Sequence, residues 1–169
     1  MVQPRSAYVY CALLLSTSGA AQGNADEHVR INGRVLVPNH LHAPVDLTVV
    51  EGDSTCAWVP VKGSGRFRLD ALPDQCYVLR FDQAGSLSKA VRVDTRFAAR
   101  KVGRGRREVK FNVMLVPTEE HGDLHYAGPV GRIKFHRSNG RQLVARNYSM
   151  QRAGLLVMED MPACDPDPH

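Results

Sequence analysis

An all-β, antiparallel seven-strand β-sandwich is the fold this sequence predicts, and three observations carry the prediction. First, apolar and polar residues alternate in short runs. Phe67 and Leu69 stand between Arg66, Arg68 and Asp70, and Tyr77, Leu79 and Phe81 are separated by Val78 and Arg80. A period of two is that of a strand with one face buried. Second, turn-forming residues separate these runs at short intervals: two prolines in residues 38–44, Gly52-Asp53-Ser54, Gly63-Ser64-Gly65, and residues 82–85. Third, no segment of ten residues has a helical apolar period. Many short strands with regular turn signals form sandwiches.

The chain is organised around residues 56–81. They read as strand, turn, strand, short loop, strand: a β-meander with one apolar face that needs a second layer. Before it, Val29, Ile31, Val35 and Val37 give a first strand with a bend or bulge at Gly33. Val45, Leu47 and Val49 give a second strand. Trp58 and Tyr77 are expected in the core. After the meander, residues 88–93 form a strand containing Lys89 and Arg92, and Val109, Phe111 and Val113 mark a further one that ends before Pro117. Beyond residue 117 a C-terminal extension is expected, with strands at residues 130–136 and 142–146 joined through Asn139-Gly140, a strong hairpin signal. Pro162, Pro166 and Pro168 predict a disordered end.

A hydrophobic share of 43% in 169 residues suffices for one domain core. The formal charge of +5 comes from 22 bases mixed among 17 acids, a balance that does not by itself mark a nucleic-acid binder. Residues 1–21 read as a secretory signal: Arg5, then the apolar run of residues 7–15, then Ser18-Gly19-Ala20-Ala21, with cleavage after Ala21 or after Ala20. The run is too short to span a bilayer, and no later segment is long and apolar enough. Cleavage would remove one base and no acid. Export implies an oxidising compartment, periplasmic or extracellular, in which two of Cys56, Cys76 and Cys164 can pair. Cys56 and Cys76, on neighbouring segments of the meander, are the preferred pair. Their loop would contribute about 3 kcal/mol by restricting the unfolded chain.

Several short motifs, taken in order, resemble the carboxypeptidase regulatory-like domain. These are Val29-Arg30-Ile31-Asn32-Gly33-Arg34-Val35, the Pro44-led apolar strand, Gly65-Arg66-Phe67-Arg68-Leu69, Tyr77-Val78-Leu79 followed by Gly85, and the run from Ser88 to Asp94-Thr95-Arg96. Pro129, Val130, Ile133 and Tyr148 resemble the tail of small secreted Bacteroidetes-type versions. The resemblance covers residues 28–117 and implies a transthyretin-like Greek-key sandwich that is non-catalytic. The chain departs from the family in two places. Lys62-Gly63-Ser64 replaces the acidic residues usual before the turn glycine, which removes a carboxylate cluster for calcium, and Gln75-Cys76 stands where a glycine usually precedes the Tyr strand.

Four features bear on chemistry. His40 and His42 bracket Leu41, and on an extended chain both rings would face one side, with His28 or His121 as a third metal ligand. His121, Asp123 and His125 alternate in the same way, without a nucleophile motif beside them. Neither group has the spacing of a known metal motif, so no cofactor is expected. The sharpest charge feature is an arginine-rich loop, expected to be exposed and mobile: Arg96, Arg100, Lys101, Arg104, Arg106 and Arg107, with no acid among residues 96–107. Such a loop suits an anionic polysaccharide, a lipid surface or an acidic envelope protein. With Phe97 its single aromatic it offers no stacking platform for nucleic acid. The function expected is therefore binding or scaffolding in a cell envelope, through sheet edges and the basic loop, without catalysis. The alternatives are a carbohydrate-binding module using exposed aromatics such as Trp58, and a small metal-dependent hydrolase using His40, His42, His121 and His125.

Overall fold

The computed structural model describes residues 28–38, 43–51, 54–98, 107–138 and 140–152, with the side chains of Ser54 and Cys56 outside the description. The expected signal, His40, His42, Arg100, Lys101, Arg104, Arg106, Cys164 and the proline-rich end lie outside these residues.

The described chain is nearly all β. Seven strands fall between residues 29 and 114: β1 (Val29–Leu36), β2 (Asp46–Glu51), β3 (Ser54–Val59), β4 (Arg66–Ala71), β5 (Cys76–Asp82), β6 (Lys89–Asp94) and β7 (Arg107–Met114). A 3₁₀ turn, Thr118–Glu120, leads to β8 (Leu124–Tyr126), β9 (Gly131–Phe135), β10 (Gln142–Arg146) and β11 (Met150–Arg152). A small sheet has the order β4-β1-β7, a large sheet β10-β9-β6-β5-β2-β3, and β8 pairs with β11. The two sheets stack as a sandwich. Apart from the parallel pairs β1–β7 and β6–β9, the ladders are antiparallel.

The core is built by the period-two residues. Ile31, Leu79, Phe81, Val93 and Val109 are completely buried. Phe67 from β4 and Phe111 from β7 meet Phe81 from β5, with ring centroids 5.4 Å and 6.4 Å from it, so one aromatic cluster joins the two sheets. Tilted and edge-on rings at these distances add attraction beyond the buried area.

The expected meander does not form. β3 lies at the edge of the large sheet, β4 crosses to the small sheet, and β5 returns beside β2. The crossing follows from the turn between β3 and β4. Gly65 adopts φ 78°, and a side chain there would run into the backbone carbonyl of Val35. Its own carbonyl accepts the Val35 N–H at 2.8 Å. The turn is therefore laid against β1, which delivers β4 to β1 and not back onto β3. The hairpin in this region is β2–β3, with a bulge between Val49 and Val50.

The expected bend at Gly33 is absent as well. Both ladders run through it without a shift, Gly33 opposite Phe67 and Phe111. The glycine serves packing: a Cβ there would overlap the Phe67 ring and the Phe111 carbonyl oxygen.

Of the extension beyond residue 117, β9 and β10 join the large sheet, and β8 and β11 form a pair of their own. β9 pairs parallel to β6, and β10 returns along β9 as the Asn-Gly pair predicts. The sandwich therefore has more strands than the seven expected.

Thr95, fully buried at the end of β6, ties the β4–β5 turn down. Its hydroxyl accepts the Gln75 N–H at 2.9 Å and stands 2.9 Å from the carbonyls of Leu72 and Gln75. Tyr77 is in the core as expected, with its hydroxyl accepting the Leu72 N–H. Trp58 is not in the core: it is 69% exposed, on edge strand β3. Its register partner Thr48 faces away from the core-facing Leu47 and Val49, and Trp58 follows it outward.

Candidate functional site: a cationic sheet face

Of the residues expected to bind anions, Arg100, Lys101, Arg104 and Arg106 lie outside the described residues. Of the loop arginines, Arg96 and Arg107 are described, and both are engaged. Arg96 forms a bidentate pair with Asp94, its Nη2 2.6 Å from Oδ2. Arg107 donates to the carbonyl of Gly140 at 3.3 Å. Asp94 stands two residues before Arg96, at the end of β6, so the pair closes locally.

Of the histidines expected to form a site, His28, His121 and His125 are described, and His40 and His42 lie outside the described residues. His121 follows the 3₁₀ turn, and His125 lies in β8 with its Nε2 3.0 Å from the Gln151 amide. Among the described residues no group of three or more His, Cys, Asp or Glu could hold a metal ion. No helix among them is long and apolar enough to cross a membrane.

Cys76 is disulfide-bonded. Cys56 lies in β3 and Cys76 opens β5, near the same end of the large sheet.

A different cationic surface emerges on the outer face of the small sheet. Strand alternation turns Val29, Ile31 and Val35 inward and so sets Arg30, Asn32 and Arg34 outward; β4 and β7 do the same with Arg66, Arg68 and Asp70, and with Glu108, Lys110 and Asn112. Because β4, β1 and β7 are neighbours, these residues share one face. Two carboxylates anchor it. Asp70 takes Arg30 at 3.0 Å and Arg68 at 3.6 Å. Glu108 takes Lys110 at 2.8 Å and the Asn32 amide at 2.7 Å. The bond from Lys110 holds Glu108 below the usual carboxylate range. Arg34 donates through Nε to the Ser64 carbonyl at 2.9 Å. Among the described residues, the exposed Lys62 and Arg66 have no ion-pair partner. A concavity of about 590 Å³ lies over this face, and no carboxylate lines it.

Apart from Lys62 and Ser64, which belong to the turn before β4, each of these residues was visible in the sequence as the polar partner of an alternation. That they converge was not, since the strands that carry them are far apart in the chain.

A second feature also went unread. Lys89 is 6% exposed, in register with the inward Val91 and Val93. Its Nζ donates to the Met114 carbonyl at 2.6 Å and sits 4.9 Å and 5.8 Å from the ring centroids of Tyr126 and Tyr148. This contact fastens the extension to β6. Burial lowers the Lys89 pKa, and it raises that of Tyr126, with the Tyr148 charge adding to the rise. A lysine with a lowered folded pKa binds fewer protons folded than unfolded. Stability therefore rises as pH climbs through its folded pKa toward 10.5. Tyr126 acts in the opposite sense above pH 10, where the unfolded phenol ionises first. Urea unfolding between pH 7 and pH 10 is expected to show wild type gaining stability relative to Lys89→Met; parallel curves would reject the assignment.

Compared with known families and curated proteins, the chain matches no family model and no curated protein.

Proposed function

We propose that this chain is a non-catalytic, exported β-sandwich module, of the carboxypeptidase regulatory-like type, that binds or scaffolds at a cell envelope. The observation that carries the reading is the outer face of β4-β1-β7. There Arg30, Arg34, Lys62, Arg66, Arg68 and Lys110 face solvent or its edge with Asp70 and Glu108 as the nearby acids. A rigid sheet presenting such an excess attracts anionic surfaces. The N-terminal signal pattern, the order of the family-like motifs and the disulfide at Cys76, with Cys56 as its proposed partner, support export and the family.

The test is retention on anionic phospholipid vesicles and on anionic polysaccharide gels, with neutral vesicles and gels as controls. The expected result is retention on at least one anionic support at low salt, lost as ionic strength approaches about 1 M, where screening is within a few ångströms. No retention on either support at low salt would overturn the reading.

The exposure of Trp58 favours a second reading, a carbohydrate-binding module that stacks sugar rings on its indole. Binding to neutral glycans that Trp58→Ala abolishes would select it.

A further inference from the structure

The concavity over the small sheet has a definite order. Its floor is the backbone of one register row, Phe67–Gly33–Phe111, whose two rings turn down into the core. On one side stand Arg68, Asn32 and Lys110, on the other Arg66, Arg34 and Asn112. These two walls are roughly 7 Å apart along the strands, two residues of rise. The groove therefore runs across the strands and not along them. It carries cations on both sides: Arg68 and Arg66 on β4, Arg34 on β1 beside Arg66, and Lys110 on β7 back on the side of Arg68. The step between neighbouring strands is about 4.8 Å.

We infer that this groove is the binding site of an acidic polysaccharide, a linear uronic-acid chain lying across β4, β1 and β7. The inference rests on the binding-module reading above and names its ligand. The strand step is close to the advance of one ring in an extended glycan. In a two-fold chain of uronic acids successive carboxylates point to opposite sides, and so meet Arg68, Arg34 and Lys110 in turn. Guanidinium groups fit carboxylates through paired donors. The amides of Asn32 and Asn112, standing across from Arg34 and beside it, match the hydroxyls of the same rings. A nucleic acid would need stacking surfaces, and the aromatic rings at this groove point inward. A membrane surface asks for charge alone and makes no use of cations set on the two sides of a groove.

Affinity electrophoresis and calorimetry with de-esterified polygalacturonate, its methyl ester and anionic vesicles test this. The expected result is binding to the free acid and not to the ester. The variant Arg34→Gln/Arg68→Gln/Lys110→Gln should lose roughly tenfold or more in affinity, since it loses three charge-assisted contacts. A control of equal charge, Lys134→Gln/Arg146→Gln/Arg152→Gln, on β9, β10 and β11 outside the groove, should lose little. If the groove variant fails to fold, Lys62→Gln/Arg66→Gln set against the two-charge control Lys134→Gln/Arg146→Gln carries the comparison, because both residues line the groove and neither has an ion-pair partner among the described residues. No binding to polygalacturonate, or equal losses in groove and control variants, overturns the inference. Retention on vesicles without polygalacturonate binding overturns it while leaving the binding-module reading standing.

Discussion

Phe81→Ala is expected to lower the unfolding free energy by about 3–5 kcal/mol, the range for deleting a fully buried aromatic ring. Phe81 is completely buried, and its ring is the piece of the large sheet that reaches both Phe67 and Phe111 of the small one. Removing it takes away apolar area from water and leaves a void at the junction of the layers, with rings on two strands losing their neighbour. Phe81→Leu keeps most of the volume and should cost less than about 1.5 kcal/mol if the site relaxes around it. Urea unfolding of the oxidised protein at neutral pH reads both. A loss below about 1 kcal/mol for the alanine variant would mean that the sheets are not held together through this cluster.

Gly33→Ala is expected to cost roughly 3 kcal/mol, at the top of the usual overpacking range. The sign is the informative part. At an ordinary strand position alanine is the better residue by about 0.5–1 kcal/mol, because glycine loses more freedom on folding. Here the added methyl would occupy space taken by the Phe67 ring and the Phe111 carbonyl oxygen. The ring can be trimmed, whereas the carbonyl belongs to the neighbouring strand. Gly33→Ala/Phe67→Leu should therefore recover part of the loss and not all of it, a coupling that a double-mutant cycle measures. Were Gly33 a bulge residue, as a glycine interrupting an alternation suggests, trimming Phe67 would rescue nothing.

These two residues show how much of the fold was legible. The alternation around Phe67, Phe81 and Phe111 predicted strands and predicted their inward faces, because period-two burial is a local property of an extended chain. The hairpin β9–β10 was legible for the same kind of reason, its turn being written in Asn139-Gly140. Lys89 was legible in register but not in meaning. A lysine among inward valines needs an acceptor, and the Met114 carbonyl that supplies it comes from another strand. Trp58 was misplaced because its size argues for burial, while its strand turned out to be an edge.

The amino-acid order by itself determined the all-β class, the positions of β1 to β7, β9 and β10, most of their inward residues, and the pattern of an export signal. Tertiary structure alone decided which strands are neighbours. It sent β4 across to β1, set β7 parallel on the other side, and drew β9 into the large sheet. Strand pairing is non-local: residues tens of positions apart meet because two greasy faces close on each other, and no short window of sequence records that choice. The cationic groove is a product of that choice, since Arg34, Arg68 and Lys110 come from three separate segments that share a face only after β4, β1 and β7 have paired.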